Sequence, residues 1–153
     1  MASFLILNGP NINMLGSRDQ SLYGAKTLDE VNQEISRVAS EIGVEVFFYQ
    51  SNLEGEMIGC IQEHRDKVQG IVLNAGALTH YGLSLKDALI DCRLPVVEVH
   101  LSNPSAREPW RRVSVISDIA KGQVAGFGWR SYTAALEALA ATVAEESRLK
   151  GLG

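Results

Sequence analysis

Two short stretches of this chain bring together side chains that can move protons. In LILNGPNINMLGSRDQSLYGAKTL (residues 5–28), Arg18 and Tyr23 share a loop bounded by glycines. A free tyrosine ionises near pH 10 and is a poor base at neutrality. A guanidinium beside it stabilises the phenolate and lowers that value. On a lid that closes over a ligand, the pair would form an activated phenolate base. In PVVEVHLS (residues 95–102), Glu98 lies two residues before His100, on the same face of a strand. A carboxylate there can set the imidazole's tautomer and raise its pKa, which suits a proton donor, although the pair also fits a purely structural role. A base and an acid around a bound anion describe elimination of water from a hydroxylated acid.

Such groups need elements to position them. Phe4–Leu7 is a continuous apolar run, as expected of a parallel strand buried on both faces. Thr27 and Glu30 read as a capping box, Leu28, Val31, Ile35, Val38 and Ile42 as one helical stripe, and Gly43 as its stop. The alternation repeats with a strand over 44–49 and a helix over 53–68 that turns Leu53, Met57, Ile61 and Val68 inward. A strand over 70–73 follows, then a helix capped by Ser84 that carries Leu85, Ala88, Leu89 and Cys92. Pro95 opens a fourth strand, where it costs no ladder bond. A short strand near 123–127 leads into a helix with Tyr132, Leu136, Leu139 and Val143 on one face. Five strands alternating with four helices predict a parallel sheet with helices on both faces, and the flavodoxin-like order 2-1-3-4-5 fits this length.

Ligands in such sheets bind beyond the carboxyl ends of the strands, where the order reverses, here between strands 1 and 3. The segments leaving strands 1, 3 and 4 are NGPN, NAGALTH and HLSN. Their amides, imidazoles and free backbone N–H groups suit a small, oxygen-rich anion. Each piece has a plainer reading. Asn74-Ala75-Gly76 fits turn chemistry, and Asp87 fits the fourth residue of a capping box begun by Ser84. His80 fits a loop residue without a task, and Arg107, Arg111 and Arg112 fit surface charges as well as an anion site.

The totals exclude several classes. The 153 residues fit one domain, large enough to hold a core without disulfide or metal. Apolar residues make up 46% and charged residues 21%, and the net charge of −4 gives no reason to expect nucleic acid or an anionic membrane. Cys60 and Cys92 sit among helical apolar residues and read as small buried thiols. The first residues carry neither a basic leader nor a membrane-length apolar run, so a reducing cytoplasm is expected. His64, His80 and His100 lack metal-ligand spacing, which disfavours a metal hydrolase.

Four ordered segments make the chain resemble the type II 3-dehydroquinate dehydratases nearly end to end: the 5–28 stretch, NAGALTHYGLSLKDAL, EVHLSNPSAREPWRRVSVIS and GQVAGFGWRSYTAALEAL. The resemblance implies dehydration of 3-dehydroquinate to 3-dehydroshikimate through an enolate, with no metal, Schiff base or organic cofactor. Tyr23 would take the C2 proton, and Arg18 would lower its pKa and stabilise the transition state. Asn11 would hold a water on the enolate oxygen, and His100, with Glu98, would protonate the departing hydroxyl. Asn74 and Gly76, with the Leu101 and Ser102 amides and the Ser102 hydroxyl, would line the site and hold the carboxylate and nearby hydroxyl. His80 and Arg111 would hold ring hydroxyls, with Arg107 beside them, and Asp87 would reach a neighbouring subunit's site in a dodecamer, a tetramer of trimers. The lid departs from many members, reading Arg18-Asp19-Gln20 for Arg-Glu-Pro, and Trp110 stands where Phe is common.

A second class, a flavin- or nucleotide-binding module on the same fold, would need a phosphate cradle after strand 1 that opens a helix. Asn8-Gly9-Pro10-Asn11 is a poor cradle, because Pro10 removes one of the required N–H groups.

Overall fold

The computed structural model describes residues 1–151 and is built on one five-stranded parallel sheet. Strands β1 (Ser3–Asn8), β2 (Glu45–Gln50), β3 (Gly70–Asn74), β4 (Val96–His100) and β5 (Gly122–Ala125) lie in the order β2-β1-β3-β4-β5. This is the expected flavodoxin-like order, and every neighbouring pair is parallel. Five α-helices occur among the described residues: α1 (Gln20–Tyr23), α2 (Leu28–Ile42), α3 (Glu54–His64), α4 (Leu83–Cys92) and α5 (Arg130–Leu149). The first is a single turn between Arg18 and Gly24 that the apolar periodicity does not signal.

Burial on both faces explains the continuous apolar runs. Side chains alternate across a strand, so Phe4 and Ile6 of β1 join one core with Val31 and Ile35 of α2 and Leu136 and Leu139 of α5. Leu5 and Leu7 join the other, with Met57 and Ile61 of α3 and Leu85 and Leu89 of α4. Truncating any of the buried Leu, Ile, Met or Phe side chains among these to Ala would cost about 2–5 kcal/mol.

Local signals set several boundaries. Thr27 and Glu30 form the reciprocal capping box, and Gly43 ends α2 at φ 74° in the left-handed region. Other expectations need correction. The second long helix is shorter than 53–68, spanning Glu54–His64, and Leu53 before it is 60% exposed rather than inward. Ile42 also ends its stripe half outside the core, at 40% exposure. Ser84 does not cap α4. The helix starts at Leu83 behind Gly82, and the Leu85 N–H donates to the Glu54 carboxylate of α3 at 3.0 Å. A neighbouring helix supplies the acceptor that Ser84 was expected to provide, so the capping-box reading of Asp87 fails as well. The last strand ends at Ala125, because Gly126 turns the chain at φ 95°.

Candidate active site

The carboxyl ends of β1, β3 and β4 open into a cleft. Two glycines let the β1 and β3 loops touch. A Cβ on Gly9 would stand 2.6 Å from the Ala75 carbonyl oxygen, and one on Gly76, at φ +60°, would stand 2.8 Å from that of Pro10. Only residues without Cβ allow so close a backbone approach. Asn11 follows in the left-handed region at φ 72° and lines the cleft.

Tyr23 ends α1 and faces this cleft, half-buried and packed against the core that includes Ile12 and Leu15. Asp19 caps the short helix by accepting from the Ser21 backbone and hydroxyl, bonds that hold its carboxyl below the ordinary value. Arg18 donates to the Tyr23 hydroxyl oxygen at 3.1 Å and lies over its ring, 3.9 Å from the centroid. A second cation joins it: Arg107 donates to the same oxygen at 2.8 Å and to Ser102 Oγ at 3.0 Å. Two positive charges converge on one phenol oxygen.

His100 ends β4 and lines the cleft, with Glu98 buried behind it. The shared strand face brings His100 Nε2 to 2.6 Å from Glu98 Oε2. Thr79, Ser114 and Gln123 also donate to that carboxylate. Ser114 Oγ already accepts from the Ile116 and Ser117 N–H groups, which leaves its one proton for Glu98. Burial pushes the Glu98 carboxyl upward, but the bond and charge of His100 and the two hydroxyls outweigh it and hold the group below its ordinary value. Every partner is a donor, so Glu98 acts as an acceptor-only carboxylate. It holds the Nε2 proton of His100 in place, and Nδ1 has no hydrogen bond among the described residues.

The remaining candidates divide clearly. Asn74, Gly76, His80, Leu101, Ser102 and Arg111 line the same cleft. His80 Nδ1 pairs with the Val113 carbonyl oxygen at 2.7 Å, which leaves Nε2 an acceptor in the neutral ring. Arg111 lies over Trp110, 4.0 Å from the ring centroid, and its Nε donates to Glu108 at 2.6 Å. Asp87 is exposed on α4 and does not line this chain's cleft. Arg112 is exposed as well.

The family model described as "Dehydroquinase class II" matches residues 2–140. The chain belongs to the class II dehydroquinase family. It is 49% identical over 138 residues to the 3-dehydroquinate dehydratase of Roseiflexus castenholzii, covering 90% of this chain and 88% of the relative. Its identity to the Bacillus subtilis 3-dehydroquinate dehydratase is 46% over 148 residues, 97% of this chain and all of the relative. Among solved structures, the type II dehydroquinase of Butyrivibrio crossotus superposes with a TM-score of 0.89 at 38% identity, over 91% of this chain and 97% of that one.

For a class II dehydroquinase chain, the residues that sequence reasoning missed are those held by distance. The sequence offers Arg107 as an anion ligand or a surface charge, and no local spacing signals its contact with Tyr23. Thr79, Ser114 and Gln123 reach Glu98 from 19, 16 and 25 residues away, and no motif marks them. The cradle that a flavin or nucleotide module requires is missing after β1. There the Gly9 N–H donates to the Asn74 carbonyl, and a three-residue 3-10 turn follows rather than an α-helix. Among the described residues, no three His, Cys, Asp or Glu side chains group as a metal site, and no helix is long and apolar enough to cross a membrane.

Proposed function

We propose that this chain is a 3-dehydroquinate dehydratase, a hydro-lyase that converts 3-dehydroquinate to 3-dehydroshikimate through an enolate. Membership of the class II family supports the substrate. The grip of Arg18 and Arg107 on the Tyr23 oxygen, in a cleft also lined by His100, carries the mechanism. Tyr23, as phenolate, takes the C2 proton and the C–H electron pair becomes the enolate. Asn11 holds a water on the enolate oxygen, a preorganised donor where charge develops. Collapse of the enolate breaks the C1–O bond, and the imidazolium of His100 supplies the proton that lets the hydroxyl leave as water. Glu98 orients the ring through its bond to Nε2.

Asn74, the Leu101 and Ser102 amides and the Ser102 hydroxyl hold the substrate carboxylate and its neighbouring hydroxyl. His80 and Arg111 take the ring hydroxyls. Asp87, outside its own cleft, reaches the site of a neighbouring subunit in a dodecamer built as a tetramer of trimers. The chain works as one catalytic domain without metal or organic cofactor. Its two buried free thiols suit a reducing cytoplasm.

The test is optical. Incubation with 3-dehydroquinate should raise the conjugated enone absorbance, with or without EDTA. No rise from the wild-type protein would reject the assignment. Borohydride added with substrate should leave the enzyme active, because no lysine imine forms.

A further inference from the structure

Tyr132 of α5 has no part in the chemistry above, yet its hydroxyl is buried beneath the cleft. It lies 2.6 Å from Asn8 Oδ1 and 2.8 Å from Asn74 Nδ2. Those two asparagines are register partners at the carboxyl ends of β1 and β3. One hydroxyl therefore ties together the strand ends from which the cleft's first two loops depart.

The direction of every bond follows from one unambiguous donor. The Gly76 N–H can only donate, and it lies 3.1 Å from the Asn74 side chain, so Oδ1 must face it. The Asn74 amide nitrogen then faces Tyr132, whose oxygen must accept. A phenol has one proton, and the group left to take it is the Asn8 side chain, which presents Oδ1. Burial pushes the Tyr132 hydroxyl well above the ordinary tyrosine value, so it stays a neutral phenol at any working pH. Asn74 thus spends its oxygen and one amide hydrogen inside the protein. A second amide hydrogen remains, on a residue that lines the cleft.

We propose that Tyr132 is a positioning residue that acts through Asn74, fixing its amide so that one N–H is presented to the substrate as a donor. This rests on the proposed dehydratase reading, in which Asn74 grips the carboxylate or the adjacent hydroxyl. The site then recognises an acceptor oxygen at that point, and an oriented donor binds ground state and transition state alike. Loss of orientation should appear in KM rather than kcat.

The experiment is steady-state kinetics of Tyr132→Phe with 3-dehydroquinate, alongside thermal unfolding. A hydrogen bond to a charged partner is worth about tenfold or more in binding, so KM should rise about tenfold with kcat within about threefold of wild type. A merely structural hydroxyl would lower thermal stability and leave KM unchanged. Asn8→Ala removes the acceptor of the Tyr132 hydroxyl while leaving the Asn74 and Tyr132 side chains in place. It should raise KM by a smaller factor and decides the matter should Tyr132→Phe not fold. KM values within twofold of wild type in the folded variants overturn the proposal and leave the dehydratase reading intact. An inactive wild type overturns both.

Discussion

Arg107 Nη2 lies 2.8 Å from the Tyr23 hydroxyl oxygen, although 84 residues separate the two in sequence. Arg18, five residues from Tyr23, donates to the same oxygen at 3.1 Å. The proposed base therefore has one cation from its own lid and one from the segment after β4. Each holds the oxygen independently, so neither alone accounts for its environment.

Removing either cation should slow turnover, since loss of one preorganised donor typically costs about 10²–10³ in kcat. We expect Arg107→Ala and Arg18→Ala each to fall by roughly that amount, and the double variant by less than the product, because the two share one oxygen. Tyr23→Phe should lose most turnover while still binding substrate. Initial rates and equilibrium binding would check both statements. Near-full activity in Tyr23→Phe would require another base.

Glu98 links the site to acid stability. Its folded value lies below the ordinary 4.5. A depressed carboxyl contributes stability that is fully present above the unfolded value and lost as pH falls through the folded one. Glu98→Gln lacks that titration, so its stability deficit relative to wild type should shrink once the pH drops below 4.5. Melting curves between pH 7 and pH 3 would show the two proteins converging. At neutral pH the same variant should lose about 10²–10⁴ in kcat if His100 is the acid, the usual range for general acid catalysis. A constant stability gap across the whole range would refute the linkage.

Gly76 and Gly43 both adopt positive φ but differ in surroundings. A Cβ on Gly76 would meet the Pro10 carbonyl at 2.8 Å, whereas one on Gly43 meets nothing within 4 Å. Alanine in the left-handed region costs about 1–2 kcal/mol. Gly43→Ala should therefore lose roughly that much stability and keep full activity. Gly76→Ala should lose more stability, and its kcat/KM should fall because the β1 and β3 loops must separate. Equal activity in the two variants would mean that this loop contact does not shape the site.

The thiols should be inert in the folded protein. Cys60 is 4% exposed, and burial pushes its thiol up to about 11. Cys92 is buried too, and burial raises it likewise. A chromogenic disulfide reagent at pH 8 should label neither until denaturant is added. Labelling faster than unfolding would contradict this packing.

Element order, sheet order and the three segments around the cleft were legible from the chain itself. Those features rest on local physics: apolar runs that demand two buried faces, a capping box closed within four residues, and Gly9 and Gly76 at turns. Even the Glu98–His100 pair was readable, since residues two apart on a strand must share a face. Four things were decided only by tertiary structure. Leu53 lies outside the core, and α4 takes Gly82 as its cap, two residues ahead of the expected Ser84, where Glu54 of a neighbouring helix supplies the acceptor. Arg107 meets Tyr23, and Tyr132, which periodicity marks as a core residue, turns its hydroxyl to Asn8 and Asn74. Helical periodicity reports which face of α5 is buried, but not which polar atoms await it there. Those partners lie 124 and 58 residues away, and only strand register brings them side by side.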